Sequence, residues 1–450
     1  MKRIHWKRLI AVLLMTSIFP WGGVSMAESL HYYPNENVGD VHPFYNTAED
    51  SWYMFYLRPN GFQATLLCSK DMIHWTPKDI TCTSGQLAAY YVLGVLQAGE
   101  KYYSWYGSGT SMSASESDDL LTWHNPGNEY AIPMGYTTFI GQRDPYVFWD
   151  PDEQVYHVIC TAYRTNQLQG RGLGMKCALG IASTKSDQLN AWNPIDTALI
   201  DYPDGLNGEP ECPQMLKIGN RWYVFVSLAR RHENHVGRLS YYIGDEGKGI
   251  FEQDWNEKEE HVLTSEDVCA AQVAQGPDGY YLWGWIAENW NGGSWGGHLS
   301  IPLKISQQPD GTLTTSIAPA VTTMISEELV ATGQDKVQGD FSRWHAQATF
   351  FLEAGKRITF HCGNGQIVLD DATGLFAVFQ NDSLMHVSYQ LTPGSLAGTH
   401  EMQVIGEENI LEVFLDDQWS LAARMQEPTQ CEQMRLEGGQ TTLVTVRNLK

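Results

Sequence analysis

Between about Leu30 and Ile305 the chain alternates short runs rich in β-branched and aromatic residues with breaks of Gly, Pro, Asn and Asp, and it nowhere sustains a helical period. Such a pattern predicts strands joined by turns. Five aromatic runs stand out: Trp52-Tyr53-Met54-Phe55-Tyr56, Tyr102-Tyr103-Ser104-Trp105-Tyr106, Val155-Tyr156-His157-Val158-Ile159, Trp222-Tyr223-Val224-Phe225-Val226 and Tyr280-Tyr281-Leu282-Trp283-Gly284. With Tyr53, Tyr103, Tyr156, Tyr223 and Tyr281 as markers, the intervals are 50, 53, 67 and 58 residues. Each interval has room for one four-stranded sheet, the organisation of a propeller. A second recurrence falls in step with the first: Ser69-Lys70-Asp71-Met72-Ile73-His74-Trp75, Ser117-Asp118-Asp119-Leu120-Leu121-Thr122-Trp123 and Ser186-Asp187-Gln188-Leu189-Asn190-Ala191-Trp192 each end a polar turn in a Trp. This is expected where a strand re-enters a sheet and drops a ring between neighbouring sheets. The pattern predicts an all-β fold whose residues 28–305 form a five-bladed β-propeller.

After Pro302-Leu303-Lys304-Ile305 the composition shifts to Gln, Thr, Ser and Ala and the aromatic hairpins stop, so residues 306–330 read as a linker. Beyond it, alternating runs such as Ala346 to Leu352, Arg357 to Cys362, Leu375 to Phe379 and Ile410 to Leu415 are separated by Gly and Asp turns. They predict a C-terminal β-sandwich over 331–450, serving as support or as a carbohydrate contact.

Composition sharpens this picture at the N-terminus. Lys2, Arg3, Lys7 and Arg8 precede an apolar run from Leu9 to Phe19, and Ser25-Met26-Ala27 offers small residues for cleavage. Residues 1–27 therefore read as a secretory signal peptide, the run being well short of the roughly 20 residues that span a bilayer. The expected location is extracellular. Removing the leader's four cations takes the formal charge from −23 to −27, a surface that repels nucleic acid and anionic membrane and suits a neutral partner. The eight cysteines (Cys68, Cys82, Cys160, Cys177, Cys212, Cys269, Cys362 and Cys431) show no paired C-x-x-C spacing, which argues against a zinc site. Most are expected as buried thiols, with room for one or two disulfides.

Three acids occupy recurring places. Asp40, Asp144 and Glu211 each stand 12 or 13 residues ahead of a marker Tyr, which suggests equivalent positions in three repeats, gathered at a common axis. A single acid beside a Pro or a turn is ordinarily just a solvated loop residue; three in matching places point to chemistry. Hydrolysis of a glycosidic bond uses one carboxyl to protonate the leaving oxygen and a second to attack the anomeric carbon or activate water. Oligo- or polysaccharide is then the expected partner. No metal or organic cofactor is needed for that chemistry.

Arg143-Asp144-Pro145 and Glu211-Cys212-Pro213 match the R-D-P and E-C-P motifs of glycoside hydrolase family 32, the invertases, levanases and inulinases, in order and at plausible separation. The run from Ser69 to Trp75 is similar to that family's S-x-D-L-x-H-W. Trp295-Gly296-Gly297-His298-Leu299-Ser300-Ile301-Pro302 is similar to its W-x-G-x-x-S-x-P, and Leu411 to Asp417 to its V-E-V-F-x-N-D strand. The resemblance covers nearly the whole chain after the leader and implies a retaining β-fructosidase. It further implies that Asp40 is the nucleophile, Glu211 the general acid/base and Asp144 a holder of sugar hydroxyls. Asp40 must then stay ionised, with Arg143 a candidate counter-charge, while burial beside other acids raises Glu211. Arg143, His42, Trp283 and Trp295 are the expected substrate contacts, the last two drawn from a cluster with Trp285 and Trp290.

The sequence also departs from that family. W-M-N-D-P-N-G has become Asn37-Val38-Gly39-Asp40-Val41-His42-Pro43, F-Y-Q has become Phe55-Tyr56-Leu57, and W-G-H-A has become Ala64-Thr65-Leu66-Leu67. The F-S-G-S segment is not recognisable near Tyr90-Tyr91-Val92-Leu93. A pentosidase of the related family 43, whose carboxyls stand roughly 6.5–9.5 Å apart rather than about 5–5.5 Å, is one alternative. A carbohydrate-binding protein without turnover is another, and transfer to an acceptor sugar is chemically open. Glu209, two residues before Glu211, is a candidate to tune it or take its place. Gly170-Arg171-Gly172-Leu173-Gly174 and His232-Glu233-Asn234-His235 read as loops rather than as nucleotide or zinc motifs.

Overall fold

A computed structural model describes residues 29–59, 64–84, 94–108, 111–135, 137–164, 176–202, 209–228, 238–288 and 295–450. The segments 170–174, 232–235 and 90–93, Trp290 and the leader lie outside the described residues. Up to Ile317 the strands form five successive sheets. The first is a four-stranded meander of Gly39–Asn46, Ser51–Leu57, Ala64–Ser69 and Thr76–Lys78. Sheet 2 has six strands between Thr81 and Pro133, sheets 3 and 4 have four each (Phe139 to Tyr202 and Pro210 to Val262), and sheet 5 has five (Val268 to Ile317).

The recurrent tryptophans do what their spacing predicts. Trp123 of sheet 2 meets Phe55 of sheet 1 at 6.0 Å, Trp192 of sheet 3 meets Trp105 of sheet 2 at 6.4 Å, and Trp75 of sheet 1 meets Trp283 of sheet 5 at 6.4 Å. Each ring thus fills the gap to the preceding sheet, and large aromatic surfaces drive that packing. The first and fifth sheets close on one another: Trp52 lies 5.6 Å from Tyr281 and 5.0 Å from Trp283. The polar turns that deliver these tryptophans are tied by Asp71 and Asp119, each accepting from two backbone N–H groups and a Ser hydroxyl.

The stretch expected as a linker is largely strand. Leu303–Gln307 and Leu313–Ile317 complete sheet 5, and Ile325–Gly333 already belongs to the next sheet, leaving a short connection around the Pro319–Thr322 helical turn. Leu313, Thr315 and Ile317 alternate inward with Thr314 and Ser316 outward; a half-buried outer strand is polar enough in sequence to resemble a loop. Two six-stranded sheets follow, and residues of both, among them Trp344, Phe360, Phe376, Val413 and Val446, share one apolar core. All eight cysteines are thiols, six of them buried. No helix among the described residues is long and apolar enough to cross a membrane.

A buried polar latch joins the two parts. His31 donates from Nδ1 to Glu407 at 2.8 Å and from Nε2 to Glu412 at 2.9 Å, and Glu407 also receives Arg343 and the backbone N–H of Leu30 and His31. Burial alone would lower the His31 pKa, but the two carboxylates carry it up to about 9. Burial would raise Glu407, yet His31 and Arg343 hold it down to about 2. The stabilisation from His31, whose folded value lies above its ordinary 6.5, is complete below about pH 6.5 and is lost as pH rises through about 9; that from Glu407 is complete above about 4.5 and is lost as pH falls through about 2. The thermal unfolding midpoint is therefore expected to drop by a few degrees between pH 6.5 and 9, and His31→Gln to lose most of that drop. Parallel pH slopes for the two proteins in scanning calorimetry would contradict this account.

Candidate active site

The first strand of a sheet feeds the site in four of the five cases, and each of those four strands breaks its ladder at the same height. Pairing skips from Gly39 to His42, Arg143 to Tyr146, Glu211 to Gln214 and Cys269 to Gln272. In each bulge the first extra residue has positive φ: Asp40 at 32°, Asp144 at 55°, Cys212 at 47° and Ala270 at 44°. A bulge re-aims side chains, and left-handed backbone at a non-glycine costs about 1–3 kcal/mol. The surrounding sheets hold four such residues.

This register corrects the sequence expectation in one respect. Asp40 and Asp144 are equivalent, but their counterpart in sheet 4 is Cys212; Glu211 is the counterpart of Arg143 and Gly39. The acids therefore form two adjacent tiers rather than one ring.

Arg143 ties the tiers together. Its Nη1 donates to Asp144 Oδ2 at 2.6 Å, its Nη2 to Glu211 Oε1 at 2.6 Å and Glu209 Oε2 at 2.5 Å, and its Nε to the Tyr163 hydroxyl at 2.6 Å. Tyr163 in turn donates to Glu209 at 3.2 Å, and the Cys212 N–H reaches Asp144 Oδ2 at 3.2 Å. Asp40, expected to have Arg143 as its counter-charge, instead receives Trp285 Nε1 at 3.4 Å. Burial would lower the Arg143 pKa, but the acids and Tyr163 around it raise it well above its ordinary range, so it remains a cation.

Three carboxyls are pushed upward. For Asp40, burial is the largest cause, followed by the charges of Asp144 and Glu211, and Trp285 and Arg143 only partly oppose them. Burial also raises Asp144, against Arg143 and the Cys212 N–H. For Glu211, burial is again largest, Arg143 opposes it, and Asp144 and Glu209 add to it. Exposure separates the roles open to these groups. The Glu211 side chain is 25% exposed whereas those of Asp144 and Glu209 are 0% and 11%, so Glu211 is the carboxyl of this trio most open to a bound molecule.

The remaining candidates divide. Trp295 covers Gly39: a Cβ there would lie 2.2 Å from its ring, and the ring stands 5.8 Å from that of Trp285. It belongs to the site. Trp283 does not; it is fully buried between Trp52, Tyr281 and Trp75, in the seam between sheets 5 and 1. Trp285, two residues further along the same strand, is the one that reaches Asp40. The alternation Tyr281, Trp283, Trp285 placed all three on one face; only height along the strand tells them apart. His42 is buried two residues past Asp40, its Nε2 without a hydrogen bond, and burial lowers its pKa to about 3. It is a neutral ring within the inner strand.

The family profile described as "Glycosyl hydrolases family 32 N-terminal domain" matches residues 40–316, more than half of the chain. The chain belongs to that family and is a glycoside hydrolase built on a β-propeller. In overall structure it is similar to the β-fructofuranosidase of Bombyx mori (TM-score 0.72, 15% identity, 93% of each chain covered). It is likewise similar to a sucrose-6-phosphate hydrolase from Lactobacillus gasseri (0.71, 15%, 95% of this chain and 94% of that one) and to an exo-inulinase from Aspergillus awamori (0.69, 16%, 94% and 98%). Comparison with curated protein sequences gives no match.

Gly39→Ala forces its new methyl into the Trp295 ring, next to a residue already at positive φ. The variant is expected to fold but to lose at least about tenfold in kcat/KM, since misplacing a group of the site by about an ångström costs that much or more. An unchanged kcat/KM would show that Trp295 moves without consequence for Asp40.

Proposed function

We propose that this chain is an exported retaining β-fructosidase, with residues 1–27 as its leader, and that its five N-terminal sheets are the blades of one propeller backed by a C-terminal β-sandwich. The observation that carries the reading is the gathering of Asp40, Asp144 and Glu211 at the bulged ends of three inner strands, close enough for their charges to act on one another, with Arg143 donating to Asp144 and Glu211 and Trp285 to Asp40. In this reaction Asp40 attacks the anomeric carbon as Glu211 gives its proton to the leaving oxygen. Glu211 then takes a proton from the water that releases the sugar. Asp144, buried and fixed by Arg143 and the Cys212 N–H, holds substrate hydroxyls.

The pKa directions suit these roles unequally. An upward shift keeps Glu211 protonated toward neutral pH, as a general acid requires. The upward shift of Asp40 works against its ionisation in the empty site, so the Trp285 N–H is the contact that favours the reactive anion. The titrations belong to the coupled group. Activity is lost as pH falls and Asp40 gains a proton, and lost again as pH rises and Glu211 gives its proton up. Both limbs are expected above the ordinary carboxylate range. The pH profile of kcat/KM checks this; an acid limb at the ordinary Asp value would show Asp40 to be unshifted.

Sugar release from sucrose, inulin, levan and aryl pentosides tests the substrate class. Fructose release cut by at least about a thousandfold in both Asp40→Asn and Glu211→Gln is the expected result. Pentose release would transfer the site to the neighbouring chemistry. Binding without release would make the protein a carbohydrate receptor, and an inactive Glu209→Gln beside an active Glu211→Gln would exchange the two glutamates.

A further inference from the structure

Sheets 1 and 3 repeat not only at their active-site ends but also at the opposite ends of the same strands, where the first hairpin of each turns. The register makes Asn46 the counterpart of Asp150, Glu49 of Glu153 and Tyr53 of His157: Phe44 pairs with Tyr53 and Phe148 with His157, each four residues beyond the bulge. The turns are built alike. Asn46 Oδ1 accepts from the N–H of Ala48 and Glu49, and Asp150 Oδ1 from the N–H of Asp152 and Glu153.

In sheet 1 the trio is satisfied, with help from sheet 2. Tyr53 donates its hydroxyl to Glu49 at 2.6 Å, and the Asn46 amide donates to the Tyr102 hydroxyl. In sheet 3 the Glu is kept, Asn and Tyr are replaced by Asp150 and His157 so that all three side chains are metal-binding types, and that satisfaction is gone. Asp150 and His157 are each 0% exposed, and Asp150 Oδ2 and His157 Nε2, facing one another at 3.5 Å, make no hydrogen bond. Glu153 Oε2 lies 3.8 Å from the same nitrogen, on a side chain 45% exposed. The nearby cation Lys217 is engaged by Asp152 at 2.5 Å.

We propose that Asp150, Glu153 and His157 form a binding site for a divalent transition-metal ion of the zinc class. Their three donor atoms lie within 4.8 Å of one another, and tetrahedral zinc with bonds of about 2.0–2.2 Å needs neighbouring ligand atoms about 3.4 Å apart. Rotation of the exposed Glu153 closes the small remaining gap. His157 Nδ1 is 2.7 Å from Ser183 Oγ; with that N–H donating to the hydroxyl, Nε2 presents its lone pair to the carboxylates, the outer-shell arrangement that orients metal-binding histidines. One nitrogen and two carboxylates favour zinc over calcium or magnesium, which take all-oxygen shells. The Phe251 ring, 5.6 Å from His157, shields one side, and Glu153 opens the other to solvent. Asp150 stands six residues from Asp144 along one strand, about 20 Å away. The ion therefore braces the propeller rather than joining in its chemistry.

Chelator-stripped full-length protein, titrated calorimetrically with zinc chloride, is expected to bind one equivalent and to unfold at a higher temperature when loaded. Magnesium and calcium are expected to do neither. Glu153→Gln, at an exposed position that leaves the turn intact, should weaken zinc at least about tenfold. His157→Tyr restores the sheet 1 pattern, so it should fold and bind none; Ser183→Ala should weaken binding about 10–100-fold. No zinc uptake by the stripped protein, or uptake of equal affinity by Glu153→Gln and His157→Tyr, would overturn the proposal and leave an ordinary buried histidine between two acids.

Discussion

One guanidinium holds the active site together. Asp40, Asp144, Glu209 and Glu211 crowd the ends of three inner strands, and four carboxylates in a buried space repel one another and lose hydration. Arg143 answers three of them directly, Asp144 through Nη1 and both glutamates through Nη2. A planar, always-charged fork achieves this; the single ammonium of a lysine does not. Because the bulge places Arg143 level with Glu211 and one step above Asp144, it spans the two tiers. Asp40 is left with an indole N–H, and that asymmetry makes the acids chemically unequal although they share a neighbourhood.

Much of this was legible in the chain. Aromatic hairpins and the tryptophans that follow polar turns are large, costly to expose and regularly spaced, so the repeat survives in sequence. Register is another matter. The hairpin after the bulge turns through residues 47–50 in sheet 1 and 151–154 in sheet 3, but only 219–220 in sheet 4, so the bulge stands two residues nearer its Tyr in sheet 4 and a count of 12 back from Tyr223 reaches Glu211 instead of Cys212. Tyr156 is itself not the counterpart of Tyr53; His157 is. The same limit misassigned Trp283, since alternation gives the face of a strand and not the height at which a side chain meets the site. The outer strands of sheet 5 were missed because a strand with one wet side needs few apolar residues.

The glycine before Asp40, where the family motif has Asn, looks in sequence like the loss of part of a pocket. In the folded chain the vacated space is filled from another sheet by the Trp295 ring. That ring packs near Trp285, which donates to Asp40, so a single change at residue 39 is compensated by a residue more than two hundred and fifty positions away. The space beside Asp40 is thus closed by bulk from a neighbouring sheet.

The latch at His31 has a consequence for how the molecule comes into being. His31 precedes the first strand, and its backbone partner Glu407 lies 376 residues later. His31 is made well before the acids that secure it. Until Glu407 and Glu412 have emerged, the His31 imidazole has no acids to meet and keeps its ordinary pKa. Closing so long a loop costs little more entropy than closing one half its length, so the delay is one of order rather than of energy: the C-terminal sheets must be in place before Leu30 and His31 are fastened.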